Sequence, residues 1–73
     1  MKINELPRFK IRFKGEVIGL SDTADHAIRD MQQVMGYEAY INGYAEVPHF
    51  DVFDSKTDCI IARSRDYDPL PIV

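Results

Sequence analysis

Residues 22–36 read DTADHAIRDMQQVMG, and the spacing inside this stretch decides how the rest of the chain must fold. Ala24, Ala27, Ile28, Met31, Val34 and Met35 recur three and four positions apart, which places them on one stripe of an α-helix. Asp25, His26, Arg29, Asp30, Gln32 and Gln33 fill the opposite side. Ser21, Asp22 or Thr23 can cap the first turn, and the acids Asp22 and Asp25 suit its partly positive end. Gly36 follows the last apolar position, where a left-handed residue commonly ends a helix, so the helix is expected to stop there. The competing reading carries it on to Asn42-Gly43 as its C-cap, with Gly36 costing the interior ~1 kcal/mol.

One apolar stripe needs a sheet to bury it, and the flanking segments supply strands. Residues 8–13 alternate, with Phe9, Ile11 and Phe13 on one face and Arg8, Lys10 and Arg12 on the other. Lys14-Gly15 is a two-residue turn. It predicts that Phe13 pairs with Glu16, Arg12 with Val17, Ile11 with Ile18 and Phe9 with Leu20, so Ile18 and Leu20 join the core face. In this register Gly19 lies beside Lys10 on an open, flat outer face. After the helix, Tyr37–Ile41, Asn42-Gly43 and Tyr44–Val47 read as a short hairpin. A last hairpin is expected around residues 54–57. Its register pairs Phe53 with Asp58, Val52 with Cys59 and Phe50 with Ile61, which turns Cys59 and Ile61 inward. His49, Asp51, Phe53, Asp58, Ile60 and Ala62 then face outward.

The expected architecture is a single α+β domain over residues 1–73. An antiparallel sheet of four or more strands carries one helix on one face, in strand-strand-helix then hairpin order. An N-terminal arm covers about residues 1–7. An extended tail of about residues 64–73, set by Pro69 and Pro71, ends in Leu70, Ile72 and Val73. That apolar finish predicts packing onto the sheet or onto a second chain.

Seventy-three residues with one cysteine have no internal disulfide to stabilise them, and small domains of this kind often gain burial by association. The unpaired thiol and the lack of a signal-like start predict a cytoplasmic setting, and no apolar run has the length of a membrane span. The net charge of −3 is uneven. Residues 1–15 carry five basic side chains against one acid, and residues 16–73 four against eleven. A compact acidic chain suits a small accessory protein of phage or mobile-element type, an expectation from composition alone.

No residue pattern points to catalysis. Nucleophilic chemistry needs a thiol or hydroxyl beside a base, and the expected register keeps Cys59 inside, apart from His26 and His49. The acids Asp51, Asp54, Asp58, Asp66 and Asp68 lack calcium-loop spacing, and Gly15, Gly19, Gly36 and Gly43 are too scattered for a phosphate loop. No cofactor or metal is therefore expected. Two signals remain. Lys10, Arg12 and Lys14 form a basic strip able to meet phosphates, although Phe9 and Phe13 point away from it and the rest of the chain is acidic. Tyr40 and Tyr44 flank the Asn42-Gly43 tip, with Tyr67 in the tail, and tyrosines are enriched at interfaces. The expectation is a non-enzymatic protein-binding module, an inhibitor or adaptor that occludes a basic partner surface, with a homo-oligomer through the tail as a further expectation. The alternative is binding of nucleic acid or a phosphorylated small ligand through residues 8–14.

Overall fold

The computed structural model describes residues 7–42 and 49–70. In chain order the elements are β1 (Phe9–Phe13), β2 (Glu16–Ser21), α1 (Ala24–Asn42), β3 (Phe50–Asp54), β4 (Cys59–Arg63) and a 3-10 turn at Ser64–Asp66. Among the described residues the four strands form one antiparallel sheet in the order β2-β1-β3-β4, with α1 packed on one face. The expected α+β architecture is the one observed.

Helix α1 starts where its caps predict. The Thr23 hydroxyl accepts from the His26 amide at 3.2 Å and the Thr23 carbonyl from the Ala27 amide at 3.0 Å. Ala27, Met31 and Met35 are buried with Phe9, Ile11, Phe50, Val52 and Ala62, and Ala24, Ile28 and Val34 pack at the margin. Truncating Met31, which is fully buried, removes a methionine's worth of contact from beneath the sheet and costs about 2–5 kcal/mol.

The helix does not stop at Gly36. It runs six residues further, so the hairpin expected from Tyr37 onward is replaced by helix through Asn42, while residues 43–48 lie outside the described residues. The reason is packing. The segment after the 3-10 turn crosses α1 at Gly36, and a Cβ built there would overlap the Leu70 carbonyl. The Leu70 amide donates to the Gln32 carbonyl at 3.1 Å, and Gln32 Nε2 donates to the Asp68 carbonyl at 2.9 Å. Gly36 is therefore a crossing point inside a continuous helix. The tail through Leu70 packs on its own chain, whereas Ile72 and Val73 lie outside the described residues.

Both hairpins also depart from the expected register, each by a bulge. Phe13 pairs with Glu16 and Arg12 with Val17 as predicted, but Ile11 then pairs with Gly19, Lys10 with Leu20 and Phe9 with Ser21. Ile18 is the extra residue. Ile18 and Leu20 are consequently about half exposed instead of buried. Gly19 faces Ile11, whose Cδ1 would stand 3.3 Å from a Cβ at that position. The shift brings Ser21 to the core face, where its hydroxyl donates to the Thr23 carbonyl at 3.3 Å and leads the chain into the helix cap.

In the second hairpin Asp54 pairs with Cys59, Phe53 with Ile60, Val52 with Ala62 and Asp51 with Arg63, leaving Ile61 over. Cys59 and Ile61, expected inside, are exposed, and Ala62, expected outside, is buried. Asp54 drives this outcome. Its carbonyl accepts from the Asp58 amide at 2.7 Å and its carboxylate from the Lys56 amide at 3.0 Å, so the loop is residues 55–58, one residue later than the apolar pattern implies, and the bulge at Ile61 then sets Ala62 opposite Val52. Asp58, at φ 60°, takes the left-handed position that aspartate tolerates.

Candidate functional site

The basic strip is divided by the sheet it belongs to. Arg8 forks onto Asp54 of β3, Nε to Oδ1 and Nη2 to Oδ2, both at 2.7 Å. The paired guanidinium and the Lys56 amide hold the Asp54 carboxyl well below the usual carboxylate range, against the opposing effect of burial, and Arg8 is raised in turn. Arg12 makes the same fork on Asp51, at 2.8 and 3.2 Å, and lies over the Phe53 ring at 4.6 Å. Two of the four cations in residues 8–14 therefore hold β1 to β3. Lys10 stands on the open sheet face between Leu20 and Phe53, and Lys14 is exposed at the turn.

The tyrosines separate too. Tyr40 is 77% exposed on the outer side of α1, beside the exposed Tyr37 and Ile41. Tyr67 is half-buried against the core, and Tyr44 lies outside the described residues.

Two grooves emerge that the residue pattern alone did not assemble. The first, of about 230 Å³, runs between the edge strand β2 and α1. Ile11, Ile18, Leu20 and Val34 form its apolar walls, with Asp30 and Gln33 at the rim. Val17 (48%), Ile18 (46%) and Leu20 (50%) give β2 an unusually apolar exposed edge. Sequence reading missed this groove because the bulge that turns Ile18 out of register leaves no trace in an alternating pattern.

The second groove, of about 330 Å³, lies at the far end of the β1–β3 ladder, lined by Lys14, His49, Asp51, Arg63, Ser64 and Arg65. Its frame is fixed by backbone contacts. The Lys14 amide donates to the His49 carbonyl at 2.8 Å, the Phe50 amide to Ser64 Oγ at 3.2 Å and the Tyr67 amide to the Ser64 carbonyl at 3.1 Å. Lys14 sits at φ 52° and Gly15 at φ 86°, a turn with both residues left-handed. Lysine is a poor residue for that place, at a cost of roughly 1–2 kcal/mol against a permissive one. Arg63 and Arg65 could not be grouped with Lys14 from sequence, since a 48-residue gap separates Lys14 from Arg63 and only the β1–β3–β4 order joins them.

Among the described residues no three acids, histidines or cysteines are grouped to hold a metal ion, and no helix is long and apolar enough to cross a membrane. No family model matches the chain, and neither a curated protein nor a solved structure matches it.

Proposed function

We propose that this chain is a small non-enzymatic protein-binding module, of inhibitor or adaptor type, that grips its partner in the groove between β2 and α1. The single observation that carries this reading is the half-exposed apolar edge Val17-Ile18-Leu20 beside that groove. A partner segment with one apolar anchor would fill the space between Ile18 and Val34. Basic residues flanking the anchor would meet Asp30 at the rim. The exposed, unpaired thiol of Cys59 suits a reducing cytoplasm.

A photo-crosslinking residue placed at Val17, in the cells that make the protein, tests the reading. The expected result is one dominant adduct that disappears when Ile18→Lys is added and persists with Lys10→Gln. An adduct set indifferent to Ile18→Lys, in a variant whose melting temperature is unchanged, would sink the proposal.

A further inference from the structure

We propose that the groove between the Lys14 turn and the 3-10 turn is a phosphate-monoester site, independent of the β2 edge and able to take a small phosphorylated ligand. Three observations converge on it. First, Lys14, Arg63 and Arg65 all line the groove, and among the described residues none is in an ion pair with a carboxylate. The acid in the lining, Asp51, is already forked by Arg12. In a chain of net charge −3 this corner brings together three cations without a carboxylate partner among the described residues, Lys14 lying over the Phe13 ring at 5.3 Å. Second, the backbone that carries the cations is held by the Lys14–His49 and Phe50–Ser64 hydrogen bonds, so the stems of the three side chains are set around the groove before a ligand arrives. Third, lysine occupies a left-handed turn position that asparagine or glycine fills with less strain, which is the kind of local cost found where a side chain is kept for its chemistry.

The ligand class follows from charge and size. Guanidinium groups present planar forks to phosphate oxygens, and a monoester carries up to two negative charges for three cations to share. A groove of about 330 Å³ holds a phosphate and a small attached group. A nucleic-acid strand would need cations repeated along a track, and here the track is interrupted where Arg8 and Arg12 bind Asp54 and Asp51. His49 borders the groove and adds a ring donor or acceptor at its mouth.

The test is titration of the full chain with phenyl phosphate and, separately, with a phosphoserine peptide and a single-stranded oligonucleotide. Amide chemical shifts and calorimetry read each titration at low ionic strength. Saturable binding of phenyl phosphate is expected, with the largest shifts at Lys14, His49, Ser64 and Arg65. Arg63→Gln should lower that affinity about tenfold, and Lys10→Gln, on the open sheet face, by less than about twofold. A peptide that binds more tightly than phenyl phosphate through the same residues supports the site and assigns its ligand to a phosphorylated protein. The proposal is overturned by an absence of saturation. It is equally overturned by equal losses in Arg63→Gln and Lys10→Gln, or by an oligonucleotide that outcompetes the monoester.

Discussion

At one end of the β1–β3 ladder Arg8 grips Asp54 with two hydrogen bonds of 2.7 Å; at the other, Lys14, Arg63 and Arg65 surround a groove whose acid is held by Arg12. Both ends are built from basic side chains and aspartates. They differ in accounting for every donor. At the Arg8 end the guanidinium fork, the Ser55 amide and hydroxyl on the Arg8 carbonyl, and the Lys56 amide on Asp54 leave a closed network around a buried carboxylate. At the Lys14 end the backbone is equally well fastened, but among the described residues the cations make no ion pair with a carboxylate, the Lys14 ammonium lying instead over the Phe13 ring at 5.3 Å. A closed network holds strands in place, and an open one on a fixed frame is suited to recognition.

Asp54→Ala should produce the largest effect, because it removes the Arg8 fork and the Asp54–Lys56 closure of the loop together. The melting temperature should fall more than for Asp51→Ala, and a smaller fall would dissolve the distinction between the two ends. The same carboxyl sets an acid response. Its folded-state pKa is depressed, so the unfolded chain binds the proton first as pH drops. Its contribution is full above the ordinary carboxylate range near pH ~4 and is lost progressively as pH falls below it. Urea unfolding between pH 5 and 2 should show that slope flattened in Asp54→Asn (pH values approximate, about one carboxylate titration on either side).

Ser64→Ala comes next. It deprives the buried Phe50 amide of its acceptor and should cost about 1–3 kcal/mol in chemical denaturation. Smaller still is Lys14→Asn, which suits the left-handed turn and should stabilise the chain by up to about 1 kcal/mol while weakening phenyl phosphate binding. A gain in stability with affinity intact would show that Lys14 is a mere turn residue. Arg63→Gln should shift stability by no more than about 0.5 kcal/mol in either direction, since its charge has no carboxylate partner among the described residues. A large loss there would mean that the open end is structural after all.

The architecture was legible in the sequence because it rests on periodicity. The stripe from Ala24 to Met35 and the alternation Phe9-Ile11-Phe13 are local signals, and each landed in the core or against it. What escaped was non-local. Gly36 reads as a stop until Leu70 is seen lying across it, and the i+4 run Ala27-Met31-Met35-Ala39, all buried, was the available hint that the helix continued. Cys59 and Ile61 were turned inward by an unbroken alternation, whereas Asp54 organises a loop that moves the partner of Phe53 by two residues, and the bulge at Ile61 moves that of Val52 by one more. Of the candidate residues, Arg12 was spent on Asp51, and Lys14 gained its company only through the strand order.

The extra residue at Ile18 also bears on how the molecule behaves when crowded. A regular apolar strand at the border of a sheet is a template on which further copies can add without limit, the route to fibres. By breaking the regular spacing midway along β2, the bulge leaves no stretch of ladder long enough to be copied, while Val17, Ile18 and Leu20 stay available to side chains. Deleting Ile18 would restore even pairing and convert a self-limiting surface into a propagating one.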